Sequence, residues 1–122
     1  MDPGERRSAR RRARVERLAL EFFEYCRKLS RRIDRRASAI SDQLPRAATS
    51  IVANVGEALD EPSFGDKRRF LRYALRSAGE CERLVAGARR VGAIGERDAE
   101  IALRHLRDIK MDLLRLIRWT RT

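Results

Sequence analysis

Between Gln43 and Leu84 the chain reads QLPRAATSIVANVGEALDEPSFGDKRRFLRYALRSAGECERL, and no other stretch limits the fold so strongly. An apolar run rich in small residues passes through the acidic turn Asp60, Glu61, Pro62 into a run studded with arginine that keeps an apolar stripe at helical spacing. Ala47, Ala48, Ser50, Ala53, Gly56 and Ala58 allow two helices to approach closely, and Asn54, Glu57, Ser77 and Glu80 set polar groups beside their seam. The segment predicts a helical bundle.

The same periodicity extends to both sides. Val15, Leu18, Phe22, Cys26, Leu29 and Ile33 recur at spacings of three and four, the stripe of a core-facing helix. Phe23 and Tyr25 lie off that line and either widen the buried face or mark a second contact surface. Ser41 and Asp42 resemble an N-cap, which starts the second helix near Asp42 and puts Pro45 in its first turn, where a missing N–H has no intrahelical partner. Its stripe is Leu44, Ala48, Ile51, Val55 and Ala58 or Leu59. Ser63 with Asp66 reads as a capping box for a third helix on Phe70, Ala74, Ala78, Cys81, Val85 and Ala88, ended by Gly92. Glu96 and Asp98 suit the positive end of a fourth helix dipole, whose stripe runs through Ala99, Ala102 or Leu103, Leu106, Ile109, Leu113 and Leu116 or Ile117. Four amphipathic helices with short connections predict an all-α, antiparallel up-down-up-down four-helix bundle over residues 13–122. Residues 1–12, with Arg6, Arg7, Arg10, Arg11 and Arg12 and almost nothing to bury, read as a basic flexible arm or a helix extension without a packing partner.

Charge speaks to partners rather than to fold. The formal net charge is +11, and only Lys28, Lys67 and Lys110 are lysines among 29 basic residues. Arginine offers phosphate a planar fork of donors and stacks on bases, so the surplus points to RNA or another polyanion. The plainer account is an arginine-heavy codon usage. Cys26 and Cys81 sit on two apolar stripes, too few and too far apart for a stapled secreted domain or a zinc module. They predict buried free thiols and a cytoplasmic location. The amino-terminal charge has no apolar stretch behind it and does not read as a secretory signal, and no run reaches the roughly 20 apolar residues of a membrane span.

Candidate sites are few. Arg68, Arg72 and Arg76 recur every fourth residue on the third helix, with Arg69 and Tyr73 alongside, a ladder suited to phosphates with a stacking side chain. A solvated face offset by neighbouring acids has the same appearance. Arg27, Arg31 and Arg35, with Lys28, Arg32 and Arg36, form a second basic group near a helix C-terminus, where cations also stabilise the dipole. Asn54, Glu57, Ser77 and Glu80 read as a structural polar network fixing helix register, with Arg69 or Lys67 as balancing charge. A lone histidine, His105, supports neither a metal site nor a nucleophile–base pair and is placed at the edge of the core. Asp60 and Glu61 read as a turn rather than a metal-dependent nuclease centre. No catalytic residue, metal or cofactor is expected.

The runs Ser50, Ile51, Ala53, Asn54, Glu57 and Ala74, Ser77, Ala78, Glu80, together with Asp66-Lys67 and Arg69-Phe70-Leu71, carry a likeness. The chain from Val15 onward resembles the bacterial four-helix-bundle proteins named after the intervening sequences of 23S ribosomal RNA genes, the S23-like family. It departs from them at Pro45, where Leu or Arg is frequent, and in lacking a glycine before Ser77. The resemblance implies a protomer that assembles into a ring, often a homopentamer, with no established catalysis. It also implies a distant similarity to the accessory protein of diversity-generating retroelements, and so RNA, a ribonucleoprotein or a reverse transcriptase as partner. The competing expectation is an oligomeric scaffold that meets an acidic protein and no nucleic acid. Membrane attachment through the arm lacks the bulky apolar face of an interfacial helix.

Overall fold

The computed structural model describes residues 1–121. Its helices are α1 (Pro3–Ser30), α2 (Ser38–Asp60), α3 (Phe64–Arg90) and α4 (Glu96–Trp119), with a single 3-10 turn at Arg35–Ala37. Each helix packs on the next and α4 returns to α1, which leaves α1 and α3 on opposite corners of a square. No strand occurs among the described residues, and the expected all-α four-helix bundle is what forms.

Helix α1 starts ten residues earlier than the bundle boundary at residue 13. The Asp2 side chain accepts from the Glu5 N–H at 2.8 Å while Glu5 Oε2 accepts from the Asp2 N–H at 3.3 Å, a reciprocal cap reinforced by Pro3 at the first helical position. The segment read as an arm is thus the helix-extension alternative, and it has a partner. Ser8 is buried, and the Arg12 guanidinium lies 5.5 Å from the centroid of the Trp119 ring at the end of α4.

The start of α2 requires a correction. Ser41 and Asp42 cap nothing; Asp34 does the work of a cap, accepting from the Arg36 N–H at 2.8 Å and opening a 3-10 turn that runs straight into α2 at Ser38. Pro45 therefore lies inside the helix and removes the hydrogen bond to the Ser41 carbonyl. That residue sits toward the outside of the bundle, where water can replace the lost donor.

At the other junctions the sequence signals operate. The Ser63 hydroxyl accepts from the Asp66 N–H at 3.1 Å and opens α3. Gly92 closes the α3 terminus at φ 72°, with its N–H on the Arg89 carbonyl and the Ala93 N–H on that of Ala88, a Schellman arrangement. The Asp34 N–H donates to the Ala93 carbonyl at 3.2 Å and ties the two loops at this end together.

One core runs through the square. Phe22, Leu29, Leu44, Ile51, Val85, Leu106, Ile109, Leu113 and Leu116 are its large members, all essentially inaccessible. Ala47, Ala48, Ala58, Ala74, Ala78 and Ala88 are buried too and give α2 and α3 the most extensive of the helix contacts. Ala53 and Gly56 do not share in it: Ala53 is exposed, and a Cβ at Gly56 would meet nothing within 4 Å. The seam of α3 also begins one residue later than Phe70. Leu71 is buried in its place, while Phe70 lies half-buried beside it, its ring centroid 5.9 Å from that of Tyr73 in an edge-on arrangement.

Cys26 and Cys81 are free thiols with no exposed surface. Burial pushes both up, Cys81 to about 12 from 9.0, with Glu80 and Glu82 adding to the effect. A thiol held neutral in the fold supports it fully below the unfolded value and loses that support as pH rises from 9 toward 12. The melting temperature is expected to fall over that range, and to fall less in Cys81→Ala. At pH 8 a disulfide reagent should label neither thiol in the native protein and both in urea; labelling of the native form at the rate of a free thiol contradicts this burial.

Candidate nucleic-acid interface

On α3 the arginines share one face. Arg68, Arg72 and Arg76 stand one turn apart, Arg72 and Arg76 exposed and Arg68 half-buried, and none makes an ion pair with the described residues. Arg69 is the exception, held 3.5 Å from Asp66 on its own helix. Aromatic rings alternate with the cations: the Arg69 guanidinium lies 4.9 Å from the Phe70 centroid, Phe70 meets Tyr73 edge-on, and Arg76 lies 5.8 Å from the Tyr73 centroid. Tyr73 keeps 39% of its surface exposed. A strip of guanidinium groups with rings between them can hold phosphates and offer faces to bases.

The second basic group is real but elsewhere. Arg27, Arg31 and Arg35 are exposed and unpaired among the described residues, and a shallow groove runs over Glu24, Arg27, Lys28 and Arg31. They sit where α1 ends. The Arg68 ladder sits in the first half of α3, a helix parallel to α1 and diagonal to it, so the two sets lie toward opposite ends and do not form one surface.

The polar network is smaller than the four residues expected of it. Ser50 Oγ and Ser77 Oγ are 2.8 Å apart, and Asn54 Nδ2 donates to the Ser50 carbonyl at 2.9 Å and to Ser50 Oγ at 3.2 Å. Glu57 and Glu80 are exposed and their carboxylates make no hydrogen bond or ion pair with the described residues; the seam pairs hydroxyls because a carboxylate there would have to shed its water. Lys67 does not balance them. It is buried with its ammonium donating to the Ala58 carbonyl at 3.2 Å and the Leu59 carbonyl at 3.5 Å, a cap on the last turn of α2. Burial, and then the charge of Arg12, hold it below the usual lysine range.

Two clusters escaped the sequence reading. Near the start of α4, Asp98 Oδ1 accepts from Tyr25 Oη and from Arg32 Nη2, each at 2.8 Å, and Tyr25 stacks on His105 at 5.6 Å. The off-stripe Tyr25 is thus a second contact surface, toward α4, and His105 lies at the core edge as expected, 5.9 Å from Phe22. The Arg32 hydrogen bond leads in holding the Asp98 carboxyl below the usual carboxylate range. Toward the other end, Asp112 is buried, with Arg14 Nε 3.2 Å from Oδ2 and Arg115 Nη1 3.4 Å from Oδ1. Only a parity of spacing, Asp112 three residues after Ile109 and four before Leu116, marks it in the sequence as core-facing.

Among the described residues no three His, Cys, Asp or Glu side chains converge as for a metal ion. No helix is long and apolar enough to cross a membrane.

The family described as 23S rRNA-intervening sequence protein matches residues 11–114. A solved structure of a protein of unknown function from the S23 ribosomal protein family of Bacteroides thetaiotaomicron superposes with a TM-score of 0.83 at 26% sequence identity, covering 88% of this chain and 98% of that one. No curated protein matches the chain.

Proposed function

The chain belongs to the 23S rRNA-intervening sequence protein family, and from that premise we propose that it is a non-enzymatic, homo-oligomeric bundle that binds RNA or an RNA–protein complex through arginine-rich faces. The observation that carries the reading is the α3 strip, where Arg68, Arg72 and Arg76 have no carboxylate partner among the described residues and Arg76 and Arg69 lie over aromatic rings. Of the arginines on the strip only Arg69 meets an acid of its own helix, Asp66. Guanidinium groups left uncompensated on a chain of net charge +11 attract a polyanion, and phosphate fits their fork of donors better than a point charge does. Assembly of several copies multiplies the charge on one particle and strengthens that attraction. Leu20, Met111 and Leu114 are exposed apolar side chains available to such contacts.

Binding of a labelled single-stranded oligoribonucleotide, followed by anisotropy at low salt with particle mass measured by sedimentation, tests the proposal. The expected outcome is saturable binding by a particle larger than one chain. Failure to bind RNA, with retention of polyglutamate under the same conditions, assigns the basic surface to an acidic protein partner instead.

A further inference from the structure

We propose a second RNA contact, a groove where the amino-terminal turns of α1 meet the carboxyl-terminal turns of α4, lined by Arg11, Arg115, Arg118 and Trp119, that continues the α3 ladder into one track for a single strand. The proposal rests on the RNA-binding reading above and names where the strand runs beyond α3.

Four observations place the groove. The first is that residues 1–12 are not loose: the capped start of α1 and the burial of Ser8 and Thr120 fix Arg11 against the end of α4. The second is the wall. Trp119 is held between Phe64, whose ring meets it edge-on at 5.0 Å, and the Arg12 guanidinium. An indole set among cations is the environment that single-stranded nucleic acid sites use to combine apolar contact with charge. The third is the lack of local compensation. Arg11 and Arg118 make no ion pair with the described residues, and of the three lining arginines only Arg115 has one, to Asp112.

Register supplies the fourth. Lys110 Nζ bonds Glu82 Oε1 at 2.8 Å and fixes α4 against the antiparallel α3. From that pair Arg118 lies about 12 Å along α4, while Arg76 and Arg72 lie about 9 and 15 Å along α3 in the same direction, at 1.5 Å per residue. By these offsets Arg118 stands level with the middle of the ladder along the bundle axis; it is exposed, as are Arg72 and Arg76, and it lines the groove with Arg11. Arg27, Arg31 and Arg35 are outside this track, toward the opposite end.

Trp119 is the sole tryptophan of the chain, which makes the groove its own reporter. An oligouridylate, which does not fluoresce, is titrated into the full-length protein while Trp119 emission and the anisotropy of an end-labelled copy are recorded. The two signals should saturate together. Arg11→Glu combined with Arg118→Glu should weaken binding at least tenfold at low salt and lower the salt slope by about 1.4, two phosphates at 0.7 each. Arg31→Glu combined with Arg35→Glu, the same change in charge at the other end, should weaken it less than threefold. Glutamine versions of the first pair, checked by circular dichroism, guard against damage from the reversed charges and should show the same order. If the wild type binds but Trp119 emission does not move, or both pairs weaken binding equally, the groove is overturned and the RNA reading stands. If the wild type does not bind at low salt, both fall.

Discussion

With Arg14 and Arg115 both replaced by methionine, urea unfolding should show a loss of about 3–5 kcal/mol, a large part of the 5–15 kcal/mol that holds a typical domain together. The reason is Asp112. Its side chain is 1% exposed, whereas its partners Arg14 and Arg115 keep 50% and 39% of theirs in water. The carboxylate is also poorly provided with hydrogen bonds. Arg14 Nε is 3.2 Å from Oδ2 without meeting hydrogen-bond geometry, so that contact is Coulombic, and Oδ2 has no other polar partner. Removing both cations leaves a buried charge with nothing to offset its lost hydration. The opposite change is asymmetric. Asp112→Leu strands only the two arginines, whose guanidinium groups already reach solvent, and fills the site with an apolar side chain, so it should cost less than 1 kcal/mol or add stability. The m-value should be unchanged in both. Equal losses in the two variants would show that the pair contributes net attraction rather than relief of a buried charge.

Asp112 also shows where the sequence stops being legible. Apolar stripes identified all four helices because burial at spacings of three and four is the main constraint on them, and the predicted members of α4, from Ala99 to Leu116, are buried almost without exception. A charged residue on such a stripe reads as a solvated one, since nothing local reveals that arginines on α1 and α4 converge on it. The same limit explains Tyr25, whose partner Asp98 is on another helix, and Lys67, whose acceptors are the carbonyls that end α2. Capping was readable where the signal was local, as at Ser63 and Gly92. At α2 two local signals competed, and Asp34 with its 3-10 turn prevailed over Ser41 and Asp42. Of the candidate interface, the α3 ladder was legible because one helix carries it all; the groove at Trp119 was not, because it needs the start of α1 packed beside the end of α4.

That shared track makes the second large effect a matter of salt. If Arg11, Arg68, Arg72, Arg76 and Arg118 each neutralise one phosphate of a single strand, log affinity should fall against log salt with a slope of about −3.5, so that raising salt from 50 to 200 mM weakens binding about a hundredfold. Replacement of condensed counterions by guanidinium groups supplies the driving force, and it weakens as bulk salt returns those ions more cheaply to the solution. Base identity should matter little by comparison, because the described contacts are cations and ring faces rather than a pattern of donors and acceptors. Changing the oligonucleotide from uridylate to a mixed sequence should therefore move affinity far less than the salt series does. A slope near zero with tight binding would mean that stacking or hydrogen bonding, not charge, holds the strand. In that event the arginine strip on α3 is a solvated face and the RNA site lies on another surface of the bundle.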